Sequence, residues 1–123
     1  MRMLLVEDSR ILRERLHRLF QSIPGLLVVA ETDNEADARD HLERYRPDAT
    51  VLDLRLRQGS GLSVLKHIRA RYPDTKVIVL TNFGQQEYRE RCLSLGADHF
   101  FDKTQDLAAF EALLAKLTDE HGQ

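Results

Sequence analysis

The side chains in this sequence best suited to chemistry stand at the ends of short apolar runs. Met3-Leu4-Leu5-Val6 leads into Glu7-Asp8, and Ala49-Thr50-Val51-Leu52 leads into Asp53. Val77-Ile78-Val79-Leu80 leads into Thr81, and His99-Phe100-Phe101 leads through Asp102 into Lys103. Together these ends suit a divalent cation and a phosphoryl group. Glu7, Asp8 and Asp53 would repel one another if brought together, and at least one would resist ionising. A hard cation such as Mg²⁺, which takes carboxylate, water and phosphate oxygens, removes that penalty. The Lys103 ammonium suits a phosphate oxygen or a carboxylate, and the Thr81 hydroxyl can donate to a phosphoryl oxygen. Each residue alone has a plainer reading. Glu7-Asp8 could simply open a helix, with Asp8 or Ser9 as its cap. Lys103 and Thr81 are ordinary at a surface or strand end. Asp53 weighs more, because it ends a mid-chain strand where a buried charge is costly without a partner.

The elements that must position these groups alternate. Continuous runs of Val, Ile and Leu are the pattern of strands buried on both faces. Such runs fall at 3–6, 26–30, 49–52 and 77–80, with a short fifth at 99–101. Between them, apolar residues recur at helical spacing. Ile11, Leu12, Leu16, Leu19, Phe20 and Ile23 mark a first helix, stopped by Pro24-Gly25. Asp33 or Asn34 can cap a second through Tyr45, with Ala38, Leu42 and Tyr45 inward and Pro47 beyond its end. Leu62, Leu65, Ile68 and Tyr72 mark a third. Gly84 opens a short fourth carrying Tyr88, Cys92 and Leu95, ended by Gly96, and Leu107, Phe110, Leu113, Leu114 and Leu117 mark the last. Five such alternations imply an α/β fold, a doubly wound parallel sheet covered by helices on both faces. The carboxyl ends of parallel strands share one edge, where such sheets bind ligands. Glu7, Asp8, Asp53, Thr81 and Lys103 are therefore expected in one place.

A chain of 123 residues has room for one domain. We expect that domain to span 1–123, with a core over about 2–118 and a fraying tail at 119–123. Hydrophobic residues at 42% and charged residues at 31% fit a globular protein, and no run is long enough to cross a bilayer. A cytoplasmic location with no membrane insertion is the simplest account. The net charge of −2 argues against direct nucleic-acid binding. Cys92 has no partner for an internal disulfide and reads as helix packing, and the five His residues show no ligand spacing. The 18 basic residues are mostly Arg, with Arg10, Arg13, Arg15 and Arg18 crowding the first helix and Arg89 and Arg91 on a later one. They read as solvated faces, or as a docking surface for an acidic partner. Phe83, two residues past Thr81, reads either as a lid over the site or as surface packing.

The motifs Leu-Val-Glu-Asp-Ser at 5–9, Asp-Leu-Arg-Leu-Arg-Gln-Gly-Ser-Gly at 53–61, Val-Leu-Thr-Asn at 79–82 and Gly-Ala-Asp-His-Phe-Phe-Asp-Lys at 96–103 are each short. In this order, the chain resembles the receiver domain of two-component response regulators over about residues 2–118. The resemblance implies a flavodoxin-like receiver fold with five helices and strand order 2-1-3-4-5. It implies that Asp53 accepts a phosphoryl group from the phosphohistidine of a sensor histidine kinase or phosphotransfer protein, and so becomes an acyl phosphate. It implies Mg²⁺ held by Asp8, by Glu7 directly or through water, by Asp53, and by the main-chain carbonyl of Arg55. Lys103 would pair with Asp53 and then with a phosphoryl oxygen. Thr81 would bond the phosphoryl group and move, letting Phe100 turn inward and altering a target-binding face built from the fourth helix, fifth strand and fifth helix.

The chain departs from the family in three places. Arg57 stands where Pro is common, so the loop is expected to be more mobile, with Arg57 reaching solvent or a partner. Thr104 stands where Pro usually follows the Lys, and a non-Pro cis bond costs about 3–4 kcal/mol, so that bond is expected to be trans or visibly strained. Phe100 stands where Tyr is frequent and lacks its hydroxyl. The length fits a stand-alone receiver that catalyses only its own phosphorylation and dephosphorylation. A receiver cut from a longer transcription factor is the alternative. A Mg²⁺-dependent phosphohydrolase of the haloacid dehalogenase type would want an acid two residues after its nucleophile, where this chain has Arg55. A flavodoxin-like binding module would want a phosphate-binding loop where Glu7-Asp8 would repel the ligand.

Overall fold

A computed structural model of the protein describes residues 1–82 and 86–122. Along the chain run β1 (Arg2–Val6), α1 (Arg10–Gln21), β2 (Leu27–Thr32), α2 (Glu35–Tyr45) and β3 (Ala49–Leu52). They are followed by α3 (Gly61–Arg71), β4 (Lys76–Thr81), α4 (Gln86–Ser94), β5 (His99–Asp102) and α5 (Leu107–His121). The five strands pair in parallel in the order β2-β1-β3-β4-β5, as the resemblance implies.

Strand side chains alternate between the two faces of the sheet, and helices cover both. Leu4, Val6, Leu52, Val77 and Val79 pack with Ala38 and Leu42 of α2, Val64, Leu65 and Ile68 of α3, and Cys92 of α4. Met3, Leu5, Val51, Ile78 and Leu80 pack with Leu16 and Phe20 of α1 and Phe110 and Leu114 of α5. Because β1, β3 and β4 are buried on both faces, their sequences read as continuous apolar runs, while β2 and β5 at the edges are only partly buried.

The helix ends follow local chemistry. The Ser9 hydroxyl accepts from Leu12 N at 3.2 Å and caps α1, which leaves the Asp8 carboxylate out of the cap. Asn34 caps α2 and Ser60 caps α3 in the same way. Arg46, left-handed at φ 44°, ends α2 one residue before Pro47.

Three expectations need correction. Ile11 is 73% exposed, because the stripe that meets the sheet runs through Leu12, Leu16, Leu19 and Ile23 while Ile11 falls in line with Arg15 and Arg18. β2 starts at Leu27 and runs to Thr32, since pairing with β1 continues to Val6↔Thr32 past the apolar run. α5 continues through His121, beyond its last apolar position, with His121 Nε2 3.4 Å from Asp48 Oδ2. The fourth helix is described from Gln86, and the expected opening at Gly84 lies outside the described residues. Among the described residues no peptide bond is cis, so Lys103–Thr104 is trans, and no helix is long and apolar enough to cross a membrane.

Candidate functional site

Backbone pairing carries the functional side chains one step past the strand ends. Glu7 N donates to Thr32 O, Asp53 N to Val6 O and Lys103 N to Thr81 O, each at 2.9 Å. These bonds extend the parallel ladders beyond β1, β3 and β5. They set Glu7, Asp53 and Lys103 side by side at the carboxyl edge.

Lys103 Nζ lies 2.8 Å from Asp53 Oδ2, 2.9 Å from Glu7 Oε1 and 3.0 Å from Glu7 Oε2. Asp53 and Glu7 are buried, at 5% and 1% exposure, and Lys103 is half-buried. Glu7 Oε2 also accepts from Ser9 N at 2.8 Å, and Arg13 Nη1 holds the turn by donating to Glu7 O at 2.7 Å. A cavity of about 170 Å³ opens here, lined by Glu7, Asp8, Ser9, Asp53, Arg55, Asn82 and Lys103. Asp8 is exposed at its mouth. Thr81 is fully buried at the end of β4, in register with Asp102. Phe100, two residues before Asp102, is already buried at 4% exposure, with the Arg89 guanidinium 5.8 Å from its ring centre.

The charges do not balance. Three carboxylates line the cavity and Lys103 supplies one ammonium. Burial first, then the charge of Asp53, raises the Glu7 carboxyl above its ordinary value, against the Ser9 amide and Lys103. Burial works to lower the Lys103 ammonium, but Asp53 and then Glu7 outweigh it and hold it above its ordinary value. Among the described residues no three His, Cys, Asp or Glu side chains are already gathered as metal ligands. The donors are all hard oxygens with negative charge in excess, a set that fits a cation of the Mg²⁺ class.

The sequence thus anticipated Glu7, Asp8, Asp53, Thr81 and Lys103 at one edge, and the structure brings Glu7, Asp53 and Lys103 into contact, with Asp8 and Arg55 around the same cavity, while Thr81 is buried at the end of β4 and is not among the residues that line it. It missed the surroundings of the loop after Asp53. Arg57 reaches solvent, as expected, with its side chain 56% exposed, and it also pairs with Asp33, Nε to Oδ2 at 2.9 Å, a tether the sequence did not suggest. Glu35, read only as part of a helix, accepts from Ser60 N at 3.0 Å and from Ser63 Oγ at 2.7 Å. Such pairs, 24 to 28 residues apart, have no local signature. Phe83 lies outside the described residues.

Comparison with known proteins agrees with this geometry. The sequence pattern of the response regulator receiver domain matches residues 3–115. The acid tolerance regulatory protein ActR of Rhizobium meliloti is 33% identical over 121 residues, 98% of this chain and 60% of that protein. A DNA-binding response regulator of the LuxR family from Staphylococcus aureus superposes with a TM-score of 0.85 at 27% identity, covering 95% of this chain and 98% of that one. The Mn²⁺-bound form of response regulator Rcp1 shares the fold, with a TM-score of 0.77 at 21% identity over 94% of this chain and 90% of that one. The chain spans 25% to 60% of the length of the curated relatives it matches. By sequence pattern, by strand order and by the acids and ammonium at its carboxyl edge, the chain belongs to the response regulator receiver domain family of two-component signalling.

Proposed function

We propose that Asp53 is the phosphoacceptor of this receiver and that Lys103 is the cation that serves it. The observation that carries this reading is the Lys103 ammonium, 2.8 Å from the buried Asp53 and shared with the buried Glu7. An Asp53 oxygen attacks the phosphorus of a phosphohistidine, the P–N bond breaks, the imidazole takes up a proton, and an acyl phosphate forms on Asp53. Phosphoryl transfer needs positioning and charge neutralisation more than covalent help. Lys103 supplies part of that charge. Mg²⁺, held by Asp8, Asp53, the Arg55 carbonyl, and Glu7 directly or through water, would supply the rest at the phosphoryl oxygens. Receiver domains are Mg²⁺-binding modules.

The phosphoryl donor is a histidine kinase or a histidine phosphotransfer protein. The Thr81 hydroxyl takes a phosphoryl oxygen, and the change passes through Phe100 and its Arg89 neighbour to the face formed by α4, β5 and α5, where a downstream protein binds. Phosphorylation adds about −1.5 to −2 of charge, enough to bias a two-state element. Apart from its own phosphorylation and dephosphorylation, the domain turns over no substrate, and a cytoplasmic setting fits such a partner set.

Intact mass after incubation with acetyl phosphate tests this. A phosphoryl adduct that requires Mg²⁺ and is absent in Asp53→Asn is expected. An adduct of equal yield in Asp53→Asn would reject Asp53 as the acceptor.

A further inference from the structure

We propose that Asp33 and Glu35, at the amino end of α2, are positioning residues for the cation site. They act by clamping the β3–α3 loop that carries the Arg55 carbonyl. This rests on the assignment of that carbonyl as a cation ligand.

The loop from Leu54 to Ser60 leaves the sheet directly after Asp53, and Asp33 and Glu35 hold it at four points. Arg57 N donates to Asp33 O at 2.9 Å, and Glu35 N donates to Gln58 O at 3.0 Å. The Arg57 guanidinium meets the Asp33 carboxylate at 2.9 Å, and Ser60 N donates to Glu35 Oε1 at 3.0 Å. The other oxygen of Glu35 accepts from Ser63 of α3 and from Arg39. Gly59, at φ +86°, lies so close that a Cβ there would sit 2.4 Å from the Glu35 Cβ. At the near end of the loop, Gly61 N donates to Leu54 O at 2.9 Å.

The loop is therefore tied before Arg55 by the Gly61–Leu54 bond and after it by Asp33 and Glu35. Neither Asp33 nor Glu35 lines the cavity itself. Asp33 follows β2 directly, beside Glu7 and Asp8 at the end of β1, and would be a further acid at the carboxyl edge were it not paired with Arg57. Arg57 thus neutralises that acid and tethers the loop with one contact. Asp53 and Lys103 are fixed by strand ladders instead. A loosened loop should therefore weaken cation binding while leaving the acceptor and its ammonium in place.

The test uses the full chain and four variants: Arg57→Gln, Asp33→Asn, the two combined, and Glu35→Ala. Amide NMR spectra titrated with Mg²⁺ report folding and affinity, and adduct formation with acetyl phosphate is followed across Mg²⁺ concentrations. An exposed ion pair makes only a modest contribution. Half-saturating Mg²⁺ is therefore expected to rise about three- to fivefold in each variant. The rate at saturating Mg²⁺ should stay at the wild-type level. The combined variant, which conserves net charge, should match the single ones. Its return to wild-type affinity would show that charge balance and not tethering matters, and would overturn the proposal. Unchanged affinity in all four, or an equal fall in rate at saturating Mg²⁺, would also overturn it. If Glu35→Ala does not fold, the Arg57 and Asp33 variants decide the matter. A wild-type chain with no Mg²⁺-dependent adduct would remove the underlying assignment, a different outcome from variants that behave like a responsive wild type.

Discussion

At Glu7, burial and the neighbouring Asp53 raise the carboxyl above its ordinary value of 4.5. A folded-state value above the unfolded one means that the folded chain holds the proton more tightly. The associated stability is complete below about 4.5 and is lost as pH rises through the folded value. Near neutrality Glu7 is thus a charge that folding would rather not carry. Glu7→Gln keeps an oxygen for Lys103 while removing that charge, and should stabilise the metal-free protein at pH 7 by about 1 kcal/mol or more. The gain should shrink as pH falls towards 4.5, and Mg²⁺ affinity should drop. Urea denaturation at the two pH values checks this, and a variant less stable than wild type at pH 7 would reject it. Lys103 has the same sign at the other end of the scale, its contribution being present below 10.5 and lost above its raised folded value. The types and strand-end positions of these residues were legible in the sequence. The sharing of one ammonium between two carboxylates was not, because it depends on side-chain reach across the sheet.

Among the elements, the loops diverge most from expectation. The strand runs and helix stripes were legible because burial on two faces or one leaves a periodic trace. Loop 54–60 leaves none, and it is tied by Asp33 and Glu35. The β5–α5 turn is similar. With Thr104 in place of Pro, the Asp102 carboxylate accepts from Thr104 N at 2.7 Å, Thr104 Oγ1 at 2.5 Å and Gln105 N at 3.2 Å. Asp102 N in turn donates to Asp106 Oδ2 at 2.9 Å. Side-chain hydrogen bonds thus do locally what a ring constraint would have done, around a trans bond. Gly61 shows how little slack the acceptor loop has. A Cβ there would sit 2.0 Å from Asp53 O and 2.7 Å from Leu54 Cα, both backbone atoms that cannot swing aside. Gly61→Ala should destabilise the protein by about 3 kcal/mol, at the upper end for overpacking, and should depress adduct formation. A change below about 1 kcal/mol in urea denaturation would show that the loop can shift after all.

For the whole molecule, the cation site is where stability and signalling meet. Folding gathers three acids against one ammonium, so a cation that binds only the folded chain must stabilise it. At ten times its dissociation constant Mg²⁺ should add about 1.4 kcal/mol, and Asp8→Ala should lose most of that gain. Thermal unfolding at increasing Mg²⁺ measures both, and a flat wild-type response would count against the site. The three central residues lie far apart along the chain. Lys103 reaches Asp53 across 50 residues and Glu7 across 96, and β5, which delivers it, is the last strand. No fragment that stops short of β5 can place an ammonium between those acids. A nascent, truncated or half-unfolded chain is therefore mute, and competence to receive a phosphoryl group certifies that the whole sheet has been assembled.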